Sequence, residues 1–337
     1  MRVLLDVMGG DESPPELVKG GVLTGRRRGI EIVFAGDPET IEASLVDLGE
    51  APGDRFGILP CSEIVRMDDS PVAAVRGKKD SSLVRGLEAL RDGRVDAFVS
   101  PGNTGAIVAG SIFILGRTQG IPRPGLMAAL PTVPGKDLCV LDVGANSDAT
   151  PEHLVHFALM GATYAKEVAG IERPTIGLLN IGSEEKKGSK LAGSAHALLS
   201  ASPLPFAGNV EAHRVLIDRP VDVVVSDGFV GNVFLKSVEG GVSALSHLLK
   251  RTIRGRAIAM LGALLMSGSI ARVKGTMSYQ RRGGAPLLGV NGVVVVAHGR
   301  SNAEAIGSAL DVACHQVEAK LLDRLARGIS GWETDAD

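Results

Sequence analysis

The fold is decided by residues 96–115, which read DAFVSPGNTGAIVAGSIFIL. The segment opens with a short stretch, 96–100, whose centre Ala97-Phe98-Val99 is apolar, as in a buried strand. This run ends in the turn Pro101-Gly102-Asn103-Thr104-Gly105, and apolar residues with helical spacing follow over 104–115. A strand, a glycine-containing turn and a helix in this order predict one βα unit of a parallel sheet.

The same succession recurs along the chain. Short apolar stretches bounded by Gly, Asn or Asp predict strands at 3–7, 31–34, 96–100, 138–142, 175–180, 221–226 and 293–297. Helical periodicity predicts helices at 14–26, 38–48, 81–91, 104–115, 151–167, 232–251 and 302–327. The alternation predicts a Rossmann-like α/β fold, with a largely parallel sheet and helices on both faces. We expect a single domain over 1–327 that includes a helical excursion at about 250–282, and a flexible C-terminal tail at 328–337.

Composition narrows the class of protein. The chain has 337 residues, a formal net charge of -2 and only 3% aromatic residues. It therefore lacks both the positive field and the stacking surface of a nucleic-acid-binding protein. Its three cysteines are far apart and form no C-x-x-C pair, which favours reduced thiols in the cytoplasm. The longest apolar run, 257–266, is half of the roughly 20 residues that a bilayer requires.

Polar residues gather directly after the predicted strands, in six turns at 6–11, 100–105, 142–146, 180–188, 226–232 and 298–302. In an open α/β sheet, ligands bind in the crevice outside the carboxyl ends of the strands. We therefore expect the six turns to converge on one crevice. Its lining would include Asp6, Asp11, Asp142, Asn146 and Asn180, together with the residues that bind phosphate or act in catalysis.

The crevice is predicted to bind phosphate. The turn at 102–105 enters a predicted helix and can direct free backbone N–H groups at an anion. Asn103, Thr104 and Gly105 would hold the phosphate, while Lys187 and Lys236 would neutralise its charge. Two glycines spaced G-x-G do not occur, and neither does G-x-x-x-x-G-K-[ST], so the sequence predicts no nucleotide cofactor.

Other reactive groups have ordinary explanations. There is no G-x-S-x-G or H-E-x-x-H motif. Cys139 lies in a predicted buried strand, which favours an inert thiol over a nucleophile. His153 and His156 are three residues apart on a predicted helix, where packed or solvated histidines are commoner than metal ligands, so no metal site is predicted. His298 ends a predicted strand, and either a site role or a turn-stabilising role fits it.

Stretches that span nearly the whole chain resemble the PlsX family of phosphate acyltransferases. They are DVMGGD (6–11), PVAAVR (71–76), KKDSS (78–82), GNTGA (102–106), LDVGAN (141–146), PEHL (151–154), GLLNIG (177–182), DGFVGNV (227–233), GAPLLG (284–289) and AHG (297–299). The resemblance implies a fold like that of phosphate acetyltransferases and the isocitrate/isopropylmalate dehydrogenases. It also implies a homodimer. The implied reaction converts acyl-acyl-carrier-protein and inorganic phosphate to acyl phosphate and free acyl carrier protein, for phospholipid synthesis.

The implied reaction assigns roles to individual residues. The catalytic candidates are Lys187, Asp227, Asn232 and His298. Asn180 and Asn232 would donate to the tetrahedral oxyanion, and Asp227 would orient a donor or handle the thiol proton. The main contribution of the enzyme would be to position the two substrates, because phosphate is already an anionic nucleophile and a thiolate leaves readily. No cofactor is required.

The excursion and its flanks carry the predicted interactions with partners. The apolar run 257–266 would contact the inner face of the cell membrane, the dimer mate or both. Acidic acyl carrier protein would dock on the basic residues Arg251, Arg254, Arg256, Arg281 and Arg282, or on Arg26-Arg27-Arg28. Two alternatives remain at this stage: a metal-dependent diacid oxidoreductase of the related fold, and a non-catalytic membrane-associated scaffold that binds the carrier protein.

Overall fold

One mixed sheet organises the molecule. The structure, a computed structural model, describes residues 1–269 and 283–335. The eleven strands that it describes are β1 (Arg2–Asp6), β2 (Glu31–Gly36), β3 (Phe56–Pro60), β4 (Ala97–Ser100), β5 (Gly125–Pro131), β6 (Asp137–Leu141), β7 (Ile176–Asn180), β8 (Phe206–Glu211), β9 (Val223–Val225), β10 (Ala285–Leu288) and β11 (Val293–Val296). Their order across the sheet is β3-β2-β1-β4-β11-β10-β5-β6-β9-β7-β8.

Helices connect these strands. In the described residues they are α1 (Pro14–Arg28), α2 (Pro38–Asp47), α3 (Pro71–Gly77), α4 (Ser82–Arg91), α5 (Thr104–Gly110), α6 (Pro151–Glu167), α7 (Lys190–Ala201), α8 (Ala212–Val215), α9 (Gly228–Ile253), α10 (Ala257–Leu265), α11 (Ala303–Glu318) and α12 (Leu321–Asp335). A π-helical turn, Ser111–Leu115, continues α5.

The sheet contains two parallel groups that run in opposite directions. Strands β3, β2, β1, β4 and β11 are parallel to one another, and so are β6, β9, β7 and β8. Between the groups, the pairs β11–β10, β10–β5 and β5–β6 are all antiparallel. Three successive reversals leave the second group antiparallel to the first. The carboxyl ends of the two groups therefore lie at opposite edges of the sheet.

Alternating side chains build a core on each face of the sheet. Leu4 and Val140 face a cluster that is also formed by helices α4, α5 and α9. Val3 and Leu5 point the other way, toward α1, α2 and α11. Cys139 does the same in the second group, where α6, α7 and α12 cover the sheet. The period of two in these strands thus places helices on both faces, as the sequence predicts.

Four strands were missed by the sequence analysis, namely β3, β5, β8 and β10. Three of them contain or end in proline, at Pro60, Pro131 and Pro286, a residue that normally argues against a strand. The predicted helix 302–327 is two helices, because Lys320 between them has a positive φ of 50°. Helix α12 extends to Asp335, into the segment that was predicted as a flexible tail.

The helical excursion corresponds to the end of α9 together with α10. The buried residues of α9 are Gly228, Gly231, Phe234 and Leu235, all in its first third. The remaining turns project from the body of the protein, and α10 follows them. Residues 270–282 of the predicted excursion lie outside the described residues. None of the helices within 1–269 and 283–335 is long and apolar enough to cross a membrane.

Candidate active site

The turn after β6 is built around the Asp142 side chain, which is fully buried. Its Oδ1 accepts hydrogen bonds from the backbone N–H groups of Leu126, Gly144 and Ala145, each at 3.0 Å. Its Oδ2 accepts from the backbone N–H and the Nδ2 of Asn146, both at 2.8 Å. Burial raises the pKa of Asp142, and the hydrogen bonds oppose that rise. Asp142 and Asn146 thus hold the shape of the turn.

Helix α9 begins against this turn. Asp227 is its N-cap, and Oδ1 accepts from the N–H groups of Phe229 at 3.0 Å and Val230 at 2.9 Å. The Gly228 N–H donates to the backbone oxygen of Asn146 at 2.8 Å. A Cβ atom on Gly228 would come within 2.8 Å of an Asp142 carboxylate oxygen. Glycine at this position lets the helix terminus and the Asp142 turn pack backbone to backbone.

Asn232 is exposed on the next turn of α9. A Cβ atom on Gly144 would lie 3.8 Å from the Cγ atom of Asn232, so the Asn232 amide lies over the Asp142 turn. No hydrogen bond to the Asn232 side chain is present among residues 1–269 and 283–335. Its amide is therefore available to donate to a bound molecule.

A charged loop, 181–188, follows β7 and carries Lys187. Asn180 Nδ2 donates to the backbone oxygen of Lys187 at 2.9 Å, and Asn180 Oδ1 accepts from the Ile181 N–H at 2.8 Å. Asn209 Nδ2, on β8, donates to the backbone oxygen of Glu184 at 2.8 Å. The Asn180 amide therefore closes this loop. Lys187 is exposed and has no ion pair in the part of the chain that the structure describes.

These elements surround an open cleft of about 530 Å³, which is lined by Ser147, Asp148, Ala149, Thr150, Leu191, Asp227, Phe229 and Val230. Three helices present their N-terminal ends to it, because Thr150 caps α6, Leu191 is the second residue of α7, and Asp227 caps α9. Partial positive charge at these ends favours an anion. The Asp227 carboxylate already accepts hydrogen bonds from two of the free N–H groups of α9. The negative charge of Asp148, in the lining of the cleft, opposes the binding of an anion.

A second group of polar turns lies at the opposite edge of the sheet. Asp6 is fully buried; its Oδ1 accepts from the N–H groups of Met8 at 3.0 Å and Gly9 at 3.1 Å. Its Oδ2 accepts from Ser100 Oγ at 2.7 Å, and Ser100 Oγ accepts from the Gly102 N–H at 3.1 Å. Asp6 thus joins the turn after β1 to the turn after β4, as Asp142 organises the turn at the other edge.

Asn103 is committed to structural hydrogen bonds. Its Oδ1 accepts from the Ala106 N–H at 3.0 Å and caps α5. Its Nδ2 donates to the backbone oxygens of Arg66, Met67 and Asp69 at 3.0 to 3.3 Å. The side chain is therefore not free for an anion, although Thr104 and Gly105 beside it are partly or fully exposed.

The turn that follows β11, at 298–302, is held by local hydrogen bonds. The Asp11 N–H donates to the backbone oxygen of Gly299 at 2.7 Å, and His298 Nδ1 accepts from the Arg300 N–H at 3.1 Å. Of the two roles that the sequence left open for His298, the turn-stabilising one is therefore present. Asp11 itself is exposed.

The expectation of one crevice was wrong. The direction of the strands reverses between the two groups, and this divides the six turns between two edges of the sheet. Asp142, Asn146, Asn180, Lys187, Asp227 and Asn232 belong to the edge with the cleft. Asp6, Asp11, Asn103, Thr104, Gly105 and His298 belong to the other edge. Lys236 is exposed two turns into α9, where its Nζ pairs with Glu239 at 2.8 Å. The catalytic candidates Lys187, Asp227 and Asn232 are thus separated within one chain from His298 and from the phosphate-binding candidates Asn103, Thr104 and Gly105.

Cys139 and His153 have structural explanations. Burial raises the pKa of Cys139 to about 12, so its thiol is protonated and inert at neutral pH. His153 Nδ1 accepts from the Thr150 N–H at 3.1 Å and so helps to cap α6. Within residues 1–269 and 283–335, no group of three His, Cys, Asp or Glu side chains is placed to hold a metal ion.

Comparison with known proteins establishes the family. The sequence profile of a family described as "Fatty acid synthesis protein" matches residues 1–324. The chain belongs to this family, PlsX. A phosphate acyltransferase from Desulfitobacterium hafniense is 45% identical over 327 residues, which cover 97% of each chain. One from Lysinibacillus sphaericus is 44% identical over 336 residues, which cover 99% of this chain and all of the relative.

Solved structures support the fold of this PlsX-family chain. A phosphotransacetylase from Streptococcus pyogenes has a TM-score of 0.64 and 17% identity over 94% of both chains. A 4-hydroxythreonine-4-phosphate dehydrogenase from Klebsiella pneumoniae has a TM-score of 0.53 and 13% identity over 94% of this chain and 99% of its own. At these identities the likeness concerns the fold alone, and it confirms the predicted Rossmann-like class.

Several cleft residues of this PlsX-family chain were missed from the sequence. Leu191 belongs to α7, a helix that was not predicted from the sequence. Ser147 and Asp148 were passed over because they lie between the LDVGAN motif and the start of α6. The available signal was Ser189, a helix N-cap residue directly after the charged loop, which would have placed a third helix terminus near the site.

Proposed function

We propose that the chain is an acyltransferase that moves an acyl group from the thioester of acyl carrier protein to inorganic phosphate. The observation that carries the proposal is the cleft where α6, α7 and α9 begin, with apolar residues at its mouth. Phe229 is 65% exposed and Val230 is 42% exposed. A site that joins helix N-termini to exposed apolar side chains suits a reaction between an anion and an acyl chain. The names of the family relatives support the use of phosphate.

The proposed chemistry requires little beyond positioning. A phosphate oxygen attacks the thioester carbonyl carbon and forms a C–O bond, and the carbonyl oxygen becomes an oxyanion. The oxyanion then collapses, the C–S bond breaks, and the thiolate takes a proton from water. A thiol with a pKa near 8.5 is a good leaving group, so no covalent enzyme intermediate is needed.

Asp227 in the cleft and two residues of neighbouring elements, Lys187 and Asn232, would have separate roles in this reaction. Lys187 is exposed on the charged loop beside α7 and would neutralise part of the charge of phosphate. Asn232 has an uncommitted amide and would donate to the oxyanion. Asp227 accepts from two N–H groups of α9, so we assign it to positioning the helix terminus. Thr104, Gly105 and His298, at the other edge, would reach this cleft only if they came from a second copy of the chain.

The decisive experiment combines the purified chain with acyl-acyl-carrier-protein and labelled phosphate, without nucleotide. Acyl phosphate and free carrier thiol should appear in equal amounts, and both should be absent when phosphate is omitted. A parallel reaction with acyl-coenzyme A tests the choice of carrier. Release of free fatty acid without any dependence on phosphate would reject the proposal.

The carrier protein is proposed to dock beside the end of α9. Exposed basic side chains cluster there, at Lys250, Arg251, Arg254 and Arg256. Arg281 and Arg282, also predicted as part of this surface, lie outside the described residues. The alternative surface at Arg26-Arg27-Arg28 is less suitable, because these residues pair with Glu50 and Asp311. An acidic carrier should therefore favour the α9 surface.

Association with the inner face of the cell membrane is proposed through α10. Its side chains include Ile258, which is 89% exposed, and Leu265, which is 80% exposed. Exposed apolar groups next to arginines suit a surface of anionic lipid. Burial against a second copy in a homodimer would cover the same groups.

A further inference from the structure

The charged loop 181–188 has an irregular backbone, so individual hydrogen bonds set its shape. At its centre is a turn in which the Lys187 N–H donates to the backbone oxygen of Glu184 at 3.1 Å. Asn209 Nδ2 donates to the same oxygen at 2.8 Å, and Asn180 Nδ2 donates to the backbone oxygen of Lys187 at 2.9 Å. Two side-chain amides from the neighbouring strands β8 and β7 thus hold the turn on both sides of Lys187.

The glycines of the loop make the Lys187 side chain depend on this turn. A Cβ atom on Gly182 would lie 3.1 Å from Lys187 Cγ and 2.7 Å from a Glu184 carboxylate oxygen, so both side chains lie over Gly182. Gly188 has a positive φ of 100°, and a Cβ atom there would overlap Asn180 Oδ1. The direction in which Lys187 leaves the loop therefore follows from the shape of the turn.

A β-bulge turns Asn209 toward the loop. Phe206 pairs with Ile176 and Asn209 pairs with Leu178, so β8 has one residue more than β7 between the two pairs. The extra residue is accommodated where Gly208 has a positive φ of 97°. Residues three apart on a regular strand point to opposite faces, but here Phe206 and Asn209 share the face that α7 covers. The loop leads from β7 to α7, so the bulge brings the Asn209 amide to it.

Stability does not explain an asparagine at this position. Asn209 is buried, and its Oδ1 accepts no hydrogen bond from residues 1–269 and 283–335. A buried acceptor without a partner lowers stability, whereas an apolar side chain of the same size would not. Asparagine is also uncommon in strands. The residue is therefore explained by the group that its Nδ2 holds, the Glu184 oxygen of the turn.

We propose that Asn209 is a positioning residue for the use of phosphate, because it holds the turn 184–187 in the shape that presents Lys187 to the anion. The inference rests on the proposed function, in which Lys187 neutralises part of the charge of phosphate. Asn209 is buried and would not contact phosphate itself. Its effect on phosphate would pass through Lys187, and this distinguishes it from a residue that only stabilises the fold.

The test is a double-mutant cycle of Asn209→Leu and Lys187→Gln, with acyl-acyl-carrier-protein at saturation. Leucine has nearly the size of asparagine but lacks the donor, and Glu184 is exposed, so water can pair with its oxygen. Gln316→Leu is the matched control. Gln316 is also a buried amide that donates to a backbone oxygen, that of Val312 at 3.2 Å, and it lies on α11 against the first group of strands. Steady-state kinetics give kcat and the KM for phosphate, and thermal unfolding gives the Tm.

Asn209→Leu should raise the KM for phosphate about fivefold and change kcat less than about twofold. In the presence of Lys187→Gln it should raise the KM no further, and Gln316→Leu should leave the KM unchanged. Effects of the two substitutions that multiply would show that Asn209 acts independently of Lys187 and would overturn the proposal. A KM equal to that of the wild type would also overturn it. A lowered Tm with a loss of kcat as large as the rise in KM would assign Asn209 to the fold alone, with the same consequence.

Limited digestion with trypsin separates this proposal from the proposed reaction. Trypsin cuts after lysine, and the loop contains Lys186 and Lys187. Wild-type protein should be cut there slowly, and more slowly with inorganic phosphate, whereas Asn209→Leu should be cut about fivefold faster and respond less to phosphate. This result without any formation of acyl phosphate would reject the reaction and retain the positioning role. Phosphate-dependent turnover with equal cutting of the two proteins would retain the reaction and reject the positioning role.

Discussion

A Cβ atom on Gly231 would overlap the backbone oxygen of Asp142, so glycine alone allows α9 to rest on the turn after β6. Gly231→Ala should lower the free energy of unfolding by about 1 to 3 kcal/mol, because the helix must move away from the turn. Urea denaturation measures the loss. Gly240→Ala is the control, since its site is open, and it should raise stability by up to about 1 kcal/mol. Equal effects of the two substitutions would contradict the packing argument.

Asn103 should contribute more to stability than a simple helix cap. Asn302 caps α11 with an equivalent bond to the Ala305 N–H at 3.0 Å, so Asn302→Ala should cost about 1 kcal/mol. Asn103→Ala also removes the donor to three carbonyl groups and should cost about 2 to 3 kcal/mol. Chemical denaturation of both variants gives the comparison. A raised KM for phosphate with unchanged stability would instead restore Asn103 as a phosphate ligand.

Lys187 is expected to act on phosphate. Lys187→Gln should raise the KM for phosphate about tenfold, since loss of one partly exposed charge contact is worth on the order of 1.4 kcal/mol. Lys166→Gln, an exposed lysine on α6, serves as the control and should leave the KM unchanged. Steady-state kinetics at several phosphate concentrations measure both. Equal KM values for phosphate in the two variants would show that Lys187 does not act on phosphate.

His153 should make stability depend on pH. Burial, first, and then the charges of Arg123 and His156 lower the pKa of His153, and its Nδ1 must be unprotonated to accept from the Thr150 N–H. Below about pH 6.5, the unfolded chain therefore binds a proton at His153 more readily than the folded chain does. The stabilising contribution of His153 is present above that pH and is lost as the pH falls.

Thermal unfolding between pH 7.5 and pH 5.5 would measure this dependence, with both values chosen to bracket the ordinary histidine pKa of about 6.5. His153→Gln should flatten part of the dependence, because glutamine at this position can accept from the cap N–H at any of these pH values. His247→Gln, on the projecting part of α9, is the control. An identical pH profile for wild type and His153→Gln would show that the ring is not coupled to the cap.

The end of the excursion distinguishes membrane contact from dimer contact. Leu261→Glu with Leu264→Glu should abolish co-sedimentation with anionic liposomes and leave a folded dimer that is active on soluble substrate. Leu23→Glu is the matched control, since Leu23 is 50% exposed on α1. Loss of the dimer together with activity would assign the segment to the subunit interface.

Local sequence determined the βα units and the polar residues at the ends of their strands. Alternation of apolar residues placed Leu4 on one face of the sheet and Val3 and Leu5 on the other, because successive side chains of a strand point in opposite directions. The turn that ends in Asn103 marked a helix start correctly, since capping depends on residues only three apart in the chain.

The tertiary structure alone decided which turns share a site. Three antiparallel pairings in the middle of the sheet place Asp6 and Asp142 at opposite edges, and periodicity within a strand carries no information about the direction of its neighbour. The three carbonyl groups that bind Asn103 come from residues 34 to 37 positions away in the chain. Asn209 meets Glu184 across 25 positions. Such partners are chosen by the packing of distant segments, so their roles emerge only when the chain is folded.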